Sequence, residues 1–403
     1  MSRNLLIFSG SRSKIARMFA HAALVWIFVA AVMGVYLRWQ AWGKPPIEFA
    51  YRFLTHGHSH VMFLGWAFNA LLAGLIRAFL PRVISMVYYQ IMLILQVAIA
   101  GMAVSFPLQG YKIISIALSS LHLFFAAWLI LRLWSDSRAQ GPALAAFRWA
   151  VVFLFLSALG PFALAYVSAQ GEEGTVWYQL AVYFYLHFQY NGWMIMALLA
   201  LLLEKMPLKG EANTQAVHLI ATGALLGYAL SALWTEPPWI VYVIAVVGAV
   251  LQIMGTLRLG GGWYRSYNWR SVWKRRWAYR FAGMALMAFG LKLLLQLSAI
   301  IPSVGEFLFL HRNLLIAYFH LVFIGVVTML LFAIFLERMW IPQDKTLSIA
   351  WWLFSGGFVL TEILLVLPGS FLLPLLICAI AMAAGLFWIA RQTIYVEDNQ
   401  TVY

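Results

Sequence analysis

Apolar runs of about 20 residues recur from one end of this 403-residue chain to the other, and each is long enough to cross a hydrocarbon layer roughly 30 Å thick. Lipid offers the backbone no hydrogen-bond partners, so only helices and closed barrels can span it. A barrel strand alternates apolar and polar residues, and these runs do not. The expected fold is therefore all-α, a single integral membrane domain over 1–403. It is a polytopic helix bundle of about twelve spans, near 18–37, 55–79, 82–106, 112–134, 146–168, 177–203, 216–235, 238–257, 279–301, 310–336, 347–367 and 370–390. Composition agrees: 64% of residues are hydrophobic and 10% charged, far more apolar than a water-soluble core of this size needs.

The net charge of +14 invites a nucleic-acid reading, which the charge distribution excludes. With the N-terminus inside, Arg38, Lys44, Arg52, Lys112 and Arg312 fall in outer segments, and Lys292 lies within the ninth span. The remaining lysines and arginines, from Arg3, Arg12, Lys14 and Arg17 to Arg391, all fall in inner segments. The positive-inside rule then sets both termini in the cytoplasm and an even helix count, as for a bacterial inner-membrane protein. The basic excess orients the chain and touches anionic lipid. Its densest part is Arg258 to Arg280. The basic N-terminus runs into a long apolar span without a small-residue cleavage pattern, which reads as an uncleaved first helix. The one cysteine, Cys378, rules out an intrachain disulfide and a thiolate cluster. Connections are short, as in one compact bundle. The longest, Gly260 to Arg276, carries Trp263, Tyr264, Trp269 and Trp273, the residues of an interfacial belt. No internal repeat stands out, which counts against an inverted-repeat transporter.

Ionisable residues inside a membrane are costly, so they are functional candidates. Six of the nine histidines gather toward the outer ends of spans two, six and ten: His56, His58 and His60; His187; His311 and His320. Depth within these spans matches. His58 follows Glu48, and His187 follows Trp177, by ten residues; His320 follows His311 by nine. Each thus lies about 14–15 Å along its helix from the outer marker. Neutral imidazoles in one layer suit haem iron, non-haem iron or copper; the alternative is interfacial or helix-packing histidines. His56 and His60 are i and i+4 and share a face, while His58 points elsewhere. His187 and Asn191 are likewise i and i+4, with Gln189 and Tyr190 between them, which marks either a metal ligand or a hydrogen-bonded packing site. An unsatisfied imidazole as deep as His320 costs several kcal/mol. Tyr318 faces away from it. His311, beside Arg312, lies about 180° round the helix, in a place suited to an interfacial or haem-propionate role. Lys292, with Gln296 one turn on, and Glu362 fit either a proton path, which Asn191 could join, or halves of buried pairs. His21, His122 and His218 belong to no constellation.

These three segments resemble the catalytic subunits of the haem–copper oxidase superfamily, and most closely its nitric oxide reductase branch. The stretch from Arg52-Phe53-Leu54 to Gly65-Trp66 looks like that family's second helix; aligning Val61-Met62 puts His58 at the low-spin haem ligand. His187 through Asn191-Gly192 looks like its sixth helix, where a histidine holds the non-haem metal. Ala317 to Gly325 looks like its tenth, with His320 at the low-spin position. The chain departs from the family where a second metal would sit. Tyr318 replaces the high-spin haem histidine, Asn191 replaces the reductase glutamate, and Leu233-Trp234-Thr235-Glu236 stands where a histidine pair is expected.

The resemblance implies a cofactor set of His58, His320, Tyr318 and Arg312, and a metal set drawn from His187, His56, His60 and His311. It implies one haem b, with a second haem, copper or iron left open. Three functions remain. The first is a bis-imidazole b-type cytochrome exchanging electrons with quinol, cytochrome c or a partner subunit. The second is a divergent terminal oxidase or nitric oxide reductase. The third is a cofactor-free transporter or assembly factor.

Overall fold

The computed structural model describes residues 9–400; Arg3 lies outside them. Among the described residues, twelve helices are long and apolar enough to cross a membrane: α1 Arg12–Trp42, α2 Tyr51–Phe79, α3 Val87–Gln109, α4 Ile113–Asp136, α5 Gly141–Ala169, α6 Val176–Lys205, α7 Glu211–Thr235, α8 Trp239–Ser266, α9 Arg276–Ser298, α10 Arg312–Glu337, α11 Thr346–Val366 and α12 Leu372–Arg391. The all-α expectation holds, and every expected span has its helix.

The boundaries differ where backbone chemistry overrides hydropathy. Hydropathy starts the third span at residue 82, but α3 begins at Val87. Pro81 has no N–H to continue a helix, and Val83–Ser85 pairs as an antiparallel strand, β2, with β1, Ser9–Ser11. Arg12 closes this corner, its guanidinium donating to the Leu80 carbonyl at 2.6 Å. The segment from Gly260 is a connection by sequence, yet α8 continues through three glycines to Ser266. The ninth helix ends at Ser298, and Pro302–Leu310 forms a short additional helix before α10.

The chain clusters into two compact units, residues 1–138 with 331–403, and residues 139–330. In the first, α1 packs on α2, α3 and α12, α3 packs on α2 and α4, and α11 packs on α12. In the second, α5 packs on α6 and α7 on α8, while α9 lies along α10.

Three helices share a feature that hydropathy does not signal. Residues Val61–Phe68 of α2, Phe188–Met194 of α6 and Leu321–Thr328 of α10 are π-helical. The residue before each π segment is a histidine: His60, His187 and His320. The π-helix is rare and concentrates at functional sites. Aligned on these turns, the sequences read His60-Val61-Met62-Phe63-Leu64-Gly65, His187-Phe188-Gln189-Tyr190-Asn191-Gly192 and His320-Leu321-Val322-Phe323-Ile324-Gly325. A histidine, then an aromatic residue three on, then a glycine five on, recurs three times.

The first two glycines have one use, close helix approach. A Cβ on Gly65 would lie 2.8 Å from the Trp26 Cβ on α1, and one on Gly192 would lie 2.6 Å from the Phe153 Cβ on α5. A π turn shifts the hydrogen-bond register, and side chains take up carbonyls there. The Asn69 amide donates to Gly65 at 2.7 Å, and the Thr328 hydroxyl donates to Phe323 at 2.8 Å. These three spans are also the ones most enclosed by protein, with 72%, 89% and 78% of their apolar windows buried against half or less for the other nine.

Candidate functional site: histidines ahead of the π turns

In the first unit, His58 is positioned by another helix. Its Nδ1 lies 2.8 Å from the Ala30 carbonyl oxygen on α1. A carbonyl oxygen can only accept, so Nδ1 carries the proton and Nε2 carries the lone pair. One turn further along α1, Gly34 makes room for the ring; a Cβ there would lie 3.2 Å from the imidazole Cε1. Gly57 plays the matching part toward α3, where its missing Cβ would meet Pro107 Cδ at 3.0 Å.

His56 and His60 share a face, and Tyr111 touches both. Its ring lies 4.8 Å from that of His56 and 5.7 Å from that of His60. His60 is tied to its own helix: Nδ1–H donates to the His56 carbonyl at 2.9 Å, Tyr111 Oη lies 3.4 Å from Nε2, and the ring stacks on Phe106. His56 Nε2 is buried with no hydrogen-bond partner. His122, which belongs to no constellation in the sequence, is buried with its ring edge-on to Phe68 and its Nε2 also unpartnered.

The first unit also explains Glu362. It lies within electrostatic reach of Arg38, which sits near the C-terminal end of α1. A further polar chain has no signature in the sequence. Trp26 donates to Gln96 at 2.7 Å, and Gln96 donates to the fully buried Asn69 at 3.0 Å.

The second unit holds His187 differently. Its Nε2–H donates to the Ala224 carbonyl on α7 at 2.7 Å, and its Nδ1 accepts from the Asn191 amide at 3.2 Å. Both ring nitrogens are engaged. The Tyr190 and Tyr318 rings meet edge-on at 6.0 Å. So a hydrogen bond joins His187 to Asn191 within α6, and an aromatic contact joins Tyr190 to Tyr318 on α10. Gln189 turns the other way and donates to Ser157 on α5 at 2.9 Å.

Lys292 completes this neighbourhood. It is fully buried, its Nζ has no hydrogen-bond partner among the described residues, and Nζ sits 5.6 Å from the Phe289 ring centroid. It lies within electrostatic reach of His187. Gln296, one turn on, is buried with its Oε1 unpartnered.

The remaining sequence candidates lie on α10 or just before it. His320 is half-buried at the start of its π turn. His311 is exposed, its Nδ1–H donating to the Phe307 carbonyl at 2.7 Å with the ring against Phe307. Arg312, also exposed, opens α10.

Tested against this geometry, a haem ligand fits His58, whose Nε2 lone pair is set by a hydrogen bond from the other nitrogen. A second metal fits less well. Among the described residues no three histidine, cysteine, aspartate or glutamate side chains gather as a metal site, and His187 would have to give up a hydrogen bond to bind one. No family model matches this chain, and no curated protein matches it.

Proposed function

We propose that the protein is a membrane-embedded b-type haem protein that carries electrons, with His58 as an axial ligand. One observation carries this reading: the His58 Nδ1–H···O=C Ala30 hydrogen bond at 2.8 Å. Ligating imidazoles characteristically donate their other nitrogen to a carbonyl or carboxylate, which fixes the tautomer, orients the ring and raises its basicity. Gly34 and Gly57 supply the room that this placement requires. The sequence pattern of the tenth helix names His320 as the second ligand. Haem held by two imidazoles supplies one-electron transfer and keeps no coordination position for substrate. The electron partner in this proposal is a quinol, a cytochrome c or another subunit.

The hydrogen-bonded state of His187 supports loss of the family's second metal. A tyrosine can ligate haem iron, so Tyr318, whose ring packs edge-on against Tyr190, is where a divergent reductase would hold a second haem. The test is haem content per polypeptide after purification from a haem-replete host. The expected result is one six-coordinate haem that does not bind carbon monoxide. A haem-free native protein sinks the proposal, and so does full haem retention in both His58→Ala and His320→Ala.

A further inference from the structure

A basic cavity of about 440 Å³ opens where α6 and α8 end and α7 begins, lined by Pro207, Lys209, Asn213, Arg258, Gly262 and Arg265 among others. Arg258, Gly262 and Arg265 fall on one face of α8, four and three residues apart. The glycine between the two arginines keeps the floor open, since a Cβ there would lie 3.1 Å from Leu208 Cδ1 and 3.6 Å from Asn213 Oδ1.

The walls are fixed by hydrogen bonds. Trp263 Nε1–H donates to the Met206 carbonyl at 2.9 Å, the Tyr267 hydroxyl donates to Pro207 at 2.8 Å, and Asn213 donates to Lys209 at 2.7 Å. The turn that carries Lys209 is therefore held against α8 on one side and α7 on the other. No acidic residue lines the cavity, and Lys209, Arg258 and Arg265 form no ion pair with a described carboxylate. Three cations kept together with no internal counter-charge repel one another, and an anion between them removes that repulsion. The first turn of α7, which opens at Glu211 behind Gly210, contributes Ala212 and Asn213 to the lining.

We infer that this cavity binds the phosphate of an anionic phospholipid headgroup. The site lies at the membrane boundary, where α6 and α8 end and α7 begins, on the side to which the sequence assigns the basic segments. Basic pockets between helices at that boundary suit such headgroups. Guanidinium groups grip phosphate oxygens with two donors at once, so a pair of arginines two turns apart selects a phosphate over a diffuse negative surface.

The test uses the full chain in nanodiscs of phosphatidylcholine alone or with phosphatidylglycerol, read by lipid retention in native mass spectrometry and by melting temperature. Wild type should retain phosphatidylglycerol preferentially and melt higher in its presence. The double variant Arg258→Gln/Arg265→Gln should lose that preference by about 30-fold, at about one kcal/mol per basic residue near the surface. The control variant Lys274→Gln/Arg275→Gln removes equal charge from the same side outside the cavity and should keep the preference. Equal loss in the control variant reduces the effect to general surface potential and overturns the site. Equal retention of phosphatidylcholine overturns it as well. Inorganic phosphate added at matched ionic strength separates the two sources of the same chemistry: phosphate that alone restores the melting temperature, with lipid adding nothing, overturns the lipid assignment.

Discussion

By sequence alone, His58 of the first unit and His187 of the other look alike: each sits toward the outer end of an apolar span, amid aromatic and polar neighbours. Their hydrogen bonds separate them. His58 gives one nitrogen, Nδ1, to a carbonyl of α1. His187 gives one nitrogen to α7 and receives a bond from Asn191 at the other. The first arrangement is the one on which the proposed haem ligation rests, and the second holds both ring nitrogens in hydrogen bonds.

This contrast is open to attack by experiment, and the largest expected effect comes first. His58→Ala should cut bound haem per polypeptide by about tenfold or more, as expected for loss of an axial imidazole, whereas His187→Ala should leave haem content unchanged. Equal loss in both variants breaks the comparison. His60→Ala, which removes the residue aligned with His187 and His320 on the π turns, should also keep haem; if it instead abolishes binding, the ligand lies two residues later than proposed.

Packing should come next. Gly192→Leu drives a side chain into Phe153 and should destabilise by about 1–3 kcal/mol, the usual cost of overpacking, seen as a lower melting temperature in detergent. Gly65→Leu against Trp26 should do the same in the first unit. Asn191→Leu leaves His187 Nδ1 short of a partner and should cost about 1–3 kcal/mol, with haem content intact. The smallest effect has the opposite sign. Lys292→Met replaces a buried amine lacking any hydrogen bond with a side chain of similar length, and should raise stability by roughly 1 kcal/mol. A large destabilisation by Lys292→Met would show that the ammonium is satisfied by something other than the described side chains.

Much of this organisation was legible in the sequence, for definite reasons. Hydropathy reports burial in lipid directly, so all twelve spans could be read. The i,i+4 spacing put His56 with His60, and His187 with Asn191, on shared helix faces, as the common contact with Tyr111 and the His187–Asn191 hydrogen bond reflect. Local competition was harder to read. Pro81 and a strand partner more than 70 residues away, Ser9–Ser11, displaced the start of α3. The hydrogen bonds of Trp263 and Tyr267 to Met206 and Pro207 accompany the run of α8 through three glycines that resemble a loop. The histidine–aromatic–glycine pattern was present in the sequence three times, but without the π turns nothing marked its register.

By itself, the sequence determined that the chain crosses the membrane many times and which helices carry the histidines, because apolar length and costly polar residues are one-dimensional properties. Only the tertiary structure decided which imidazole nitrogen donates to a carbonyl, that Glu362 comes within electrostatic reach of Arg38, and that Lys292 is buried with no hydrogen-bond partner among the described residues. Those outcomes depend on which carbonyl, amide or charge an adjacent helix presents within about 3 Å, and no spacing along a single helix encodes that.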